Sequence, residues 1–117
     1  MGDYKKLKVW EAADTLAVAL YRHTKGFPNH ELYGLRSQLR RAVVSIPSNL
    51  AEGAGRNTDK EFRHFTSIAL GSANEVAYQV HLSGRLGYLK PDVVAELEAK
   101  AEVIKRMLAA LLRKSVG

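Results

Sequence analysis

Apolar residues recur three and four positions apart in four blocks of the chain, and nowhere do they alternate with polar residues as a half-buried strand requires. The first block covers about residues 7–25, with Trp10, Ala13, Ala17, Leu20 and Tyr21 on one helical stripe. Gly26 and Phe27-Pro28 close it, because a residue that precedes proline is driven out of the helical region. The second block, about 30–53, places Leu32, Leu35, Leu39, Ala42, Val43, Ile46 and Leu50 on its apolar face. Gly53 or Gly55 is expected to stop it in the left-handed conformation open to glycine.

The third block, about 59–87, opens on Thr58-Asp59-Lys60-Glu61, a capping box whose hydroxyl and carboxylate satisfy free amides of the first turn. Phe62, Phe65, Ala69, Ser72, Ala73, Val76, Val80 and Leu86 form its inner stripe. Glycine inside a helix costs about 1 kcal/mol relative to alanine, so Gly71 predicts close approach of a neighbouring helix. The fourth block, about 91–114, starts at Pro91 and Asp92 and repeats Val94, Leu97, Ala101, Ile104, Leu108 and Leu111 in the spacing of a bundle seam. Four such helices on short turns predict an all-α fold, an antiparallel up-down-up-down four-helix bundle in one domain over residues 1–117.

One stretch breaks the helical pattern: Ser45-Ile46-Pro47-Ser48-Asn49-Leu50-Ala51-Glu52-Gly53. An interior proline removes a backbone hydrogen bond and clashes with the preceding turn, a cost of about 3 kcal/mol. Here it withdraws the donor from the Val43 carbonyl, and hydroxyls of Ser45 or Ser48 or the amide of Asn49 are placed to reach backbone groups at the kink. Asn49 and Glu52 are three apart and Glu52 and Arg56 four apart, so polar links are expected to lock the end of the second helix onto the turn. Ser45, Pro47, Asn49, Glu52 and Gly53 are therefore read as a structural motif.

Charge narrows the function classes more than composition does. The formal net charge is +6, spread along the chain, which favours a polyanionic partner and requires folding or oligomerisation to assemble a basic patch. The absence of cysteine excludes disulfides and thiolate metal sites. No apolar run approaches a membrane span and the first residues do not read as a signal peptide, so a cytoplasmic location is the default.

Catalytic chemistry finds little support. Glu61 and His64 match the Glu-x-x-His spacing of di-iron bundles, but Tyr78 stands where a second copy ending at His81 would need its glutamate, so no metal site and no cofactor are expected. Gly53 to Thr58 is a glycine-bearing turn entering a helix without the strand or lysine of a nucleotide loop, leaving Arg56 as a contact for a backbone phosphate. Arg36, Arg40, Arg41, Arg56, Lys60 and Arg63 bracket the hairpin of the second and third helices as candidate nucleic-acid contacts. The competing reading is a solvated face paired with Glu31, Glu52, Asp59 and Glu61. Base stacking has less support, because Trp10, Phe62 and Phe65 fall on core stripes.

These runs resemble the four-helix bundle family of proteins encoded in intervening sequences of 23S rRNA genes. The shared pattern covers about 80 residues: Leu7 to Ala12, Phe27-Pro28, Glu31, Tyr33-Gly34-Leu35, Gln38 to Ala42, Ser45 to Gly53, Gly55-Arg56, Glu61-Phe62, Ile68 to Ser72, Glu75 and Leu86 to Leu89. The resemblance implies a closed ring, typically a homopentamer, with no enzymatic activity. One branch of the family serves diversity-generating retroelements, where the ring is thought to bind RNA or DNA and a reverse transcriptase. Where relatives commonly carry Glu-Leu-Glu, this chain has Glu75-Val76-Ala77. The expectation is a non-catalytic oligomer that binds nucleic acid; the alternative is a protein-interaction adaptor with no direct nucleic-acid contact.

Overall fold

The computed structural model describes residues 3–114. It contains four α-helices and, among the described residues, no strand: α1 Lys8–His23, α2 Leu35–Ala54, α3 Asp59–Arg85 and α4 Pro91–Lys114. Short 3-10 turns at Tyr4–Lys6 and Asn29–Glu31 precede α1 and α2. The molecule is a rod with principal extents of 45 × 23 × 19 Å. Each helix packs on its neighbours in the cycle α1, α2, α3, α4, and the diagonal pairs α1–α3 and α2–α4 bring no Cα atoms within 8 Å of each other.

The core is the set of apolar stripes turned inward: Leu16 and Leu20 from α1, Leu39, Val43, Ile46 and Leu50 from α2, Ala73, Val76 and Val80 from α3, and Leu97, Ile104 and Leu108 from α4. Fully burying a side chain of this size contributes about 1.5–3 kcal/mol, which is the main force holding the helices together. The α1 stripe is rotated from its expected position, with Val9 and Leu16 buried while Tyr21 faces solvent. Leu86, expected on the inner stripe of α3, is likewise exposed because α3 has already ended at Arg85.

The structure corrects three expectations. First, α2 begins at Leu35 rather than near residue 30, because the segment before it is a 3-10 turn whose Glu31 carboxylate accepts the Leu35 N–H at 2.9 Å. Second, α2 ends at Ala54 and its capping residue Gly55 has φ −83°, so no left-handed cap is used there. The left-handed residue is Gly87, φ +79°, and around it the Tyr88 N–H reaches the Ser83 carbonyl (2.9 Å) and the Gly87 N–H the Gly84 carbonyl (3.0 Å), which is the Schellman pattern. Third, nothing lies within 4 Å of a side-chain position built on Gly71, so the close approach of a neighbouring helix expected there does not occur among the described residues. Close approach occurs instead at Gly53, where a Cβ would sit 2.9 Å from the Cβ of Phe65.

The capping box forms. Thr58 Oγ1 accepts the Glu61 N–H at 3.1 Å and donates to the Glu61 carboxylate at 3.0 Å, so the carboxylate takes the hydroxyl rather than a backbone amide.

Candidate nucleic-acid interface

The Ser45–Gly53 stretch faces α3. Ser45 Oγ meets Ser72 Oγ at 2.8 Å, and Asn49 Nδ2 donates to both the carbonyl and the hydroxyl of Ser45, at 2.8 and 2.9 Å. Asn49 thus reaches back one helical turn, not forward to Glu52. Glu52 instead binds Arg56 at 2.7 Å, as the four-residue spacing predicts. Pro47 is half-buried inside an α2 that continues through it to Ala54. The polar contacts of Ser45 and Asn49 tie α2 to α3 and to its own preceding turn, and the half-exposed Glu52–Arg56 pair ties its end to the turn that follows.

The six candidate cations do not form one surface. Arg36, Arg40 and Arg41 lie at the start of α2, while Arg56, Lys60 and Arg63 lie beyond its other end and in the first turns of α3. At 1.5 Å of rise per residue, Arg41 and Arg56 are separated by about 22 Å along the rod.

Two of the six are structural staples. Arg40 Nε donates to Thr24 Oγ1 at 2.9 Å and its terminal nitrogen to the Tyr21 carbonyl at 3.1 Å, while the guanidinium lies 4.5 Å from the centre of the Tyr21 ring. Thr24 is fully buried, so this arginine caps the last turn of α1 from a neighbouring helix. Arg63 plays the matching part at the other end, donating to the Leu112 carbonyl in the last turn of α4. Arg56 is engaged as well, with Glu52, with Glu61 at 3.9 Å, and over the ring of Phe65 at 5.0 Å. Arg36, Arg41 and Lys60 make no ion pair or side-chain hydrogen bond within the described residues.

The Arg36–Arg41 end is where the α1–α2 and α3–α4 connections meet. The Tyr88 hydroxyl donates to Glu31 Oε2 at 3.0 Å and lies 3.3 Å from His30 Nε2, and its ring packs against Phe27 with centroids 5.2 Å apart. The Leu35 N–H first and the Tyr88 hydroxyl second hold the Glu31 carboxyl below the usual range, although partial desolvation opposes them. Desolvation, then the bond to Glu31, pushes the Tyr88 phenol up. Sequence spacing could not reveal this link between residues 57 apart. Glu31 is held by Leu35 and Tyr88 and makes no ion pair with Arg36.

Among the described residues no group of three or more His, Asp or Glu side chains gathers as a metal site. His64 stacks edge-on against Phe65, 5.3 Å away, while Glu61 serves the cap. No helix among them is long and apolar enough to cross a membrane.

No curated protein matches the chain. A solved structure from Bacteroides thetaiotaomicron VPI-5482, described as a protein with unknown function from the S23 ribosomal protein family, superposes with a TM-score of 0.83 at 22% identity, covering 90% of this chain and 98% of that one. At that identity the likeness establishes the shared four-helix fold. The family model of the 23S rRNA-intervening sequence protein matches residues 5–110, and with nearly the whole bundle inside that match, the chain belongs to this family.

Proposed function

We propose that this protein is a non-catalytic, cytoplasmic bundle that self-associates and binds RNA or DNA through backbone phosphates. The observation that carries the reading is the pair Arg36 and Arg41, two cations with no ion pair or side-chain hydrogen bond among the described residues, which line one surface depression at the start of α2 in a chain of net charge +6. Lys60, with Arg56 beside it, is the secondary contact at the other end. Arg40 and Arg63 act through the helix ends they hold.

The topology in this proposal is antiparallel, up-down-up-down. Gln38 faces Gln79 and Ser45 faces Ser72, so residue numbers rise along α2 as they fall along α3. Self-association into a ring, a homopentamer by family resemblance, is supported by apolar side chains that the single chain leaves in water, including Val18, Ile68, Tyr78 and Val103, and by the open side of Gly71. Repetition around a ring multiplies a modest charge into a polyvalent surface. A reverse transcriptase is one protein partner such a surface would serve.

Fluorescence anisotropy with labelled oligonucleotides tests the binding. Affinity should fall steeply as salt rises from about 50 to about 200 mM, because phosphate contacts release counterions. Absence of binding at low salt, or binding indifferent to salt, refutes it. A monomeric mass by light scattering refutes the ring, and a protein retained on the bundle after nuclease treatment, with no oligonucleotide binding, establishes the adaptor reading instead.

A further inference from the structure

Tyr33 is 92% exposed, in a fold whose other aromatic side chains mostly find partners. Tyr4 stacks on Trp10, Tyr88 on Phe27, and Tyr21 lies under Arg40. Tyr33 makes no ring contact and no hydrogen bond among the described residues. It sits between the 3-10 turn and α2, beside a surface depression of about 360 Å³ lined also by Tyr21, Arg36, Arg40 and Arg41.

The chemistry of this depression is that of a nucleotide. An aromatic face accepts a stacked base whatever its identity, whereas guanidinium groups recognise phosphate oxygens through paired N–H donors. Arg36 and Arg41 are free for that role and lie about 7.5 Å apart along the helix axis. Arg40 is occupied, but its occupation holds Tyr21 and the end of α1 as a fixed wall. A base inside a duplex hides both faces against its neighbours and leaves only its edges, so Tyr33 can engage an unpaired base alone.

We propose that this depression is a single-strand-selective nucleotide site, in which an unpaired base stacks on Tyr33 while Arg36 and Arg41 hold flanking phosphates. This rests on the reading that the protein binds nucleic acid, and adds that the ligand is single-stranded and is held at this end of the bundle.

Anisotropy of the full chain with a labelled 15-nucleotide single-stranded RNA, and with the same strand annealed to its complement, tests the site. Tyr33→Ala should weaken single-strand binding about tenfold and leave duplex binding nearly unchanged, while Tyr33→Trp retains the wild-type preference. Arg36→Gln with Arg41→Gln should reduce the single-strand salt slope by about 1.4, since each phosphate contact contributes about 0.7. Circular dichroism of Tyr33→Ala should match wild type, because so exposed a side chain supports no packing. If wild type binds neither ligand, the nucleic-acid reading and the site fall together. If wild type binds and Tyr33→Ala is without effect, or weakens both ligands equally, only the stacking site is overturned. A Tyr33→Ala chain that binds RNA normally but loses mass in light scattering assigns the ring to contact with a second copy and also overturns the site.

Discussion

The contact between Ser45 and Ser72 should be energetically coupled, and a double-mutant cycle measures how strongly. Ser72 is 9% exposed and its hydroxyl meets Ser45 Oγ at 2.8 Å, while Asn49 Nδ2 uses the same Ser45 hydroxyl at 2.9 Å. Ser45→Ala removes one bond from each of these partners and strands the Ser72 hydroxyl between helices. Leaving a buried polar group unsatisfied costs about 1–3 kcal/mol, and the gain in helix propensity on going to alanine returns about 0.5 kcal/mol. Each single variant should therefore lose about 1–2 kcal/mol. In the double variant no hydroxyl remains to be stranded, so the loss should fall short of the sum by about 1 kcal/mol. For a chain of this length 1 kcal/mol corresponds to roughly 4 °C in Tm. Urea and thermal unfolding at one fixed protein concentration provide the assay, because self-association would make Tm depend on concentration. Neutral single variants, or an additive double variant, would refute the claim that this bond joins α2 to α3.

Three other perturbations address the same frame. Pro47→Ala restores an amide donor for the Val43 carbonyl inside α2, so unfolding experiments should show a gain of about 1–2 kcal/mol, with a change in assembly mass if the proline shapes the contact between copies; a loss of stability refutes the cost assigned to the proline. Gly53→Ala adds a Cβ 2.9 Å from Phe65 Cβ, and overpacking of about 1–3 kcal/mol should outweigh the helix-propensity gain of about 1 kcal/mol, giving a lower Tm; an unchanged or higher Tm means α3 yields easily. Folding lowers the pKa of Glu31, so its contribution to stability is present at neutral pH and is lost as pH falls through the carboxylate range. Glu31→Gln should therefore flatten the decline of Tm between about pH 5 and pH 3, and parallel curves for variant and wild type contradict the Leu35 and Tyr88 contacts.

Helix identity was legible because each stripe answers to a core of the same chain, and Leu39, Val76, Leu97 and Ile104 are buried where periodicity places them. Signals that depend on a distant partner were not. The start of α2 hinges on Glu31, whose second oxygen binds Tyr88 across 57 residues, so local spacing overextended the helix toward residue 30. Arg40 and Arg63 look like surface charge in sequence, yet the carbonyls of Tyr21 and Leu112 that engage them come from other helices. Tyr33 carried a partial signal, since it lies off the apolar spacing of Leu35 and Leu39, but its 92% exposure comes from the turn that precedes α2 rather than from a helix face.

Charge in this molecule sorts by what each cation already holds. A guanidinium that caps a helix end or closes an ion pair would have to surrender those bonds to take a phosphate, and its net gain is correspondingly small. Arg40 and Arg63 are in that position, and Arg56 largely so. Arg36 and Arg41 surrender only water, which makes them the cations whose removal should register in binding rather than in stability. The opposite pattern is expected of Arg40: its loss leaves Thr24 buried without a donor and frees the end of α1, so Arg40→Ala should lower Tm and disturb binding only through the altered wall beside Tyr21. A screen that measures affinity alone would score Arg40 with its neighbours. Measuring stability alongside affinity separates the residue that builds the end of the bundle from the pair proposed to face the ligand.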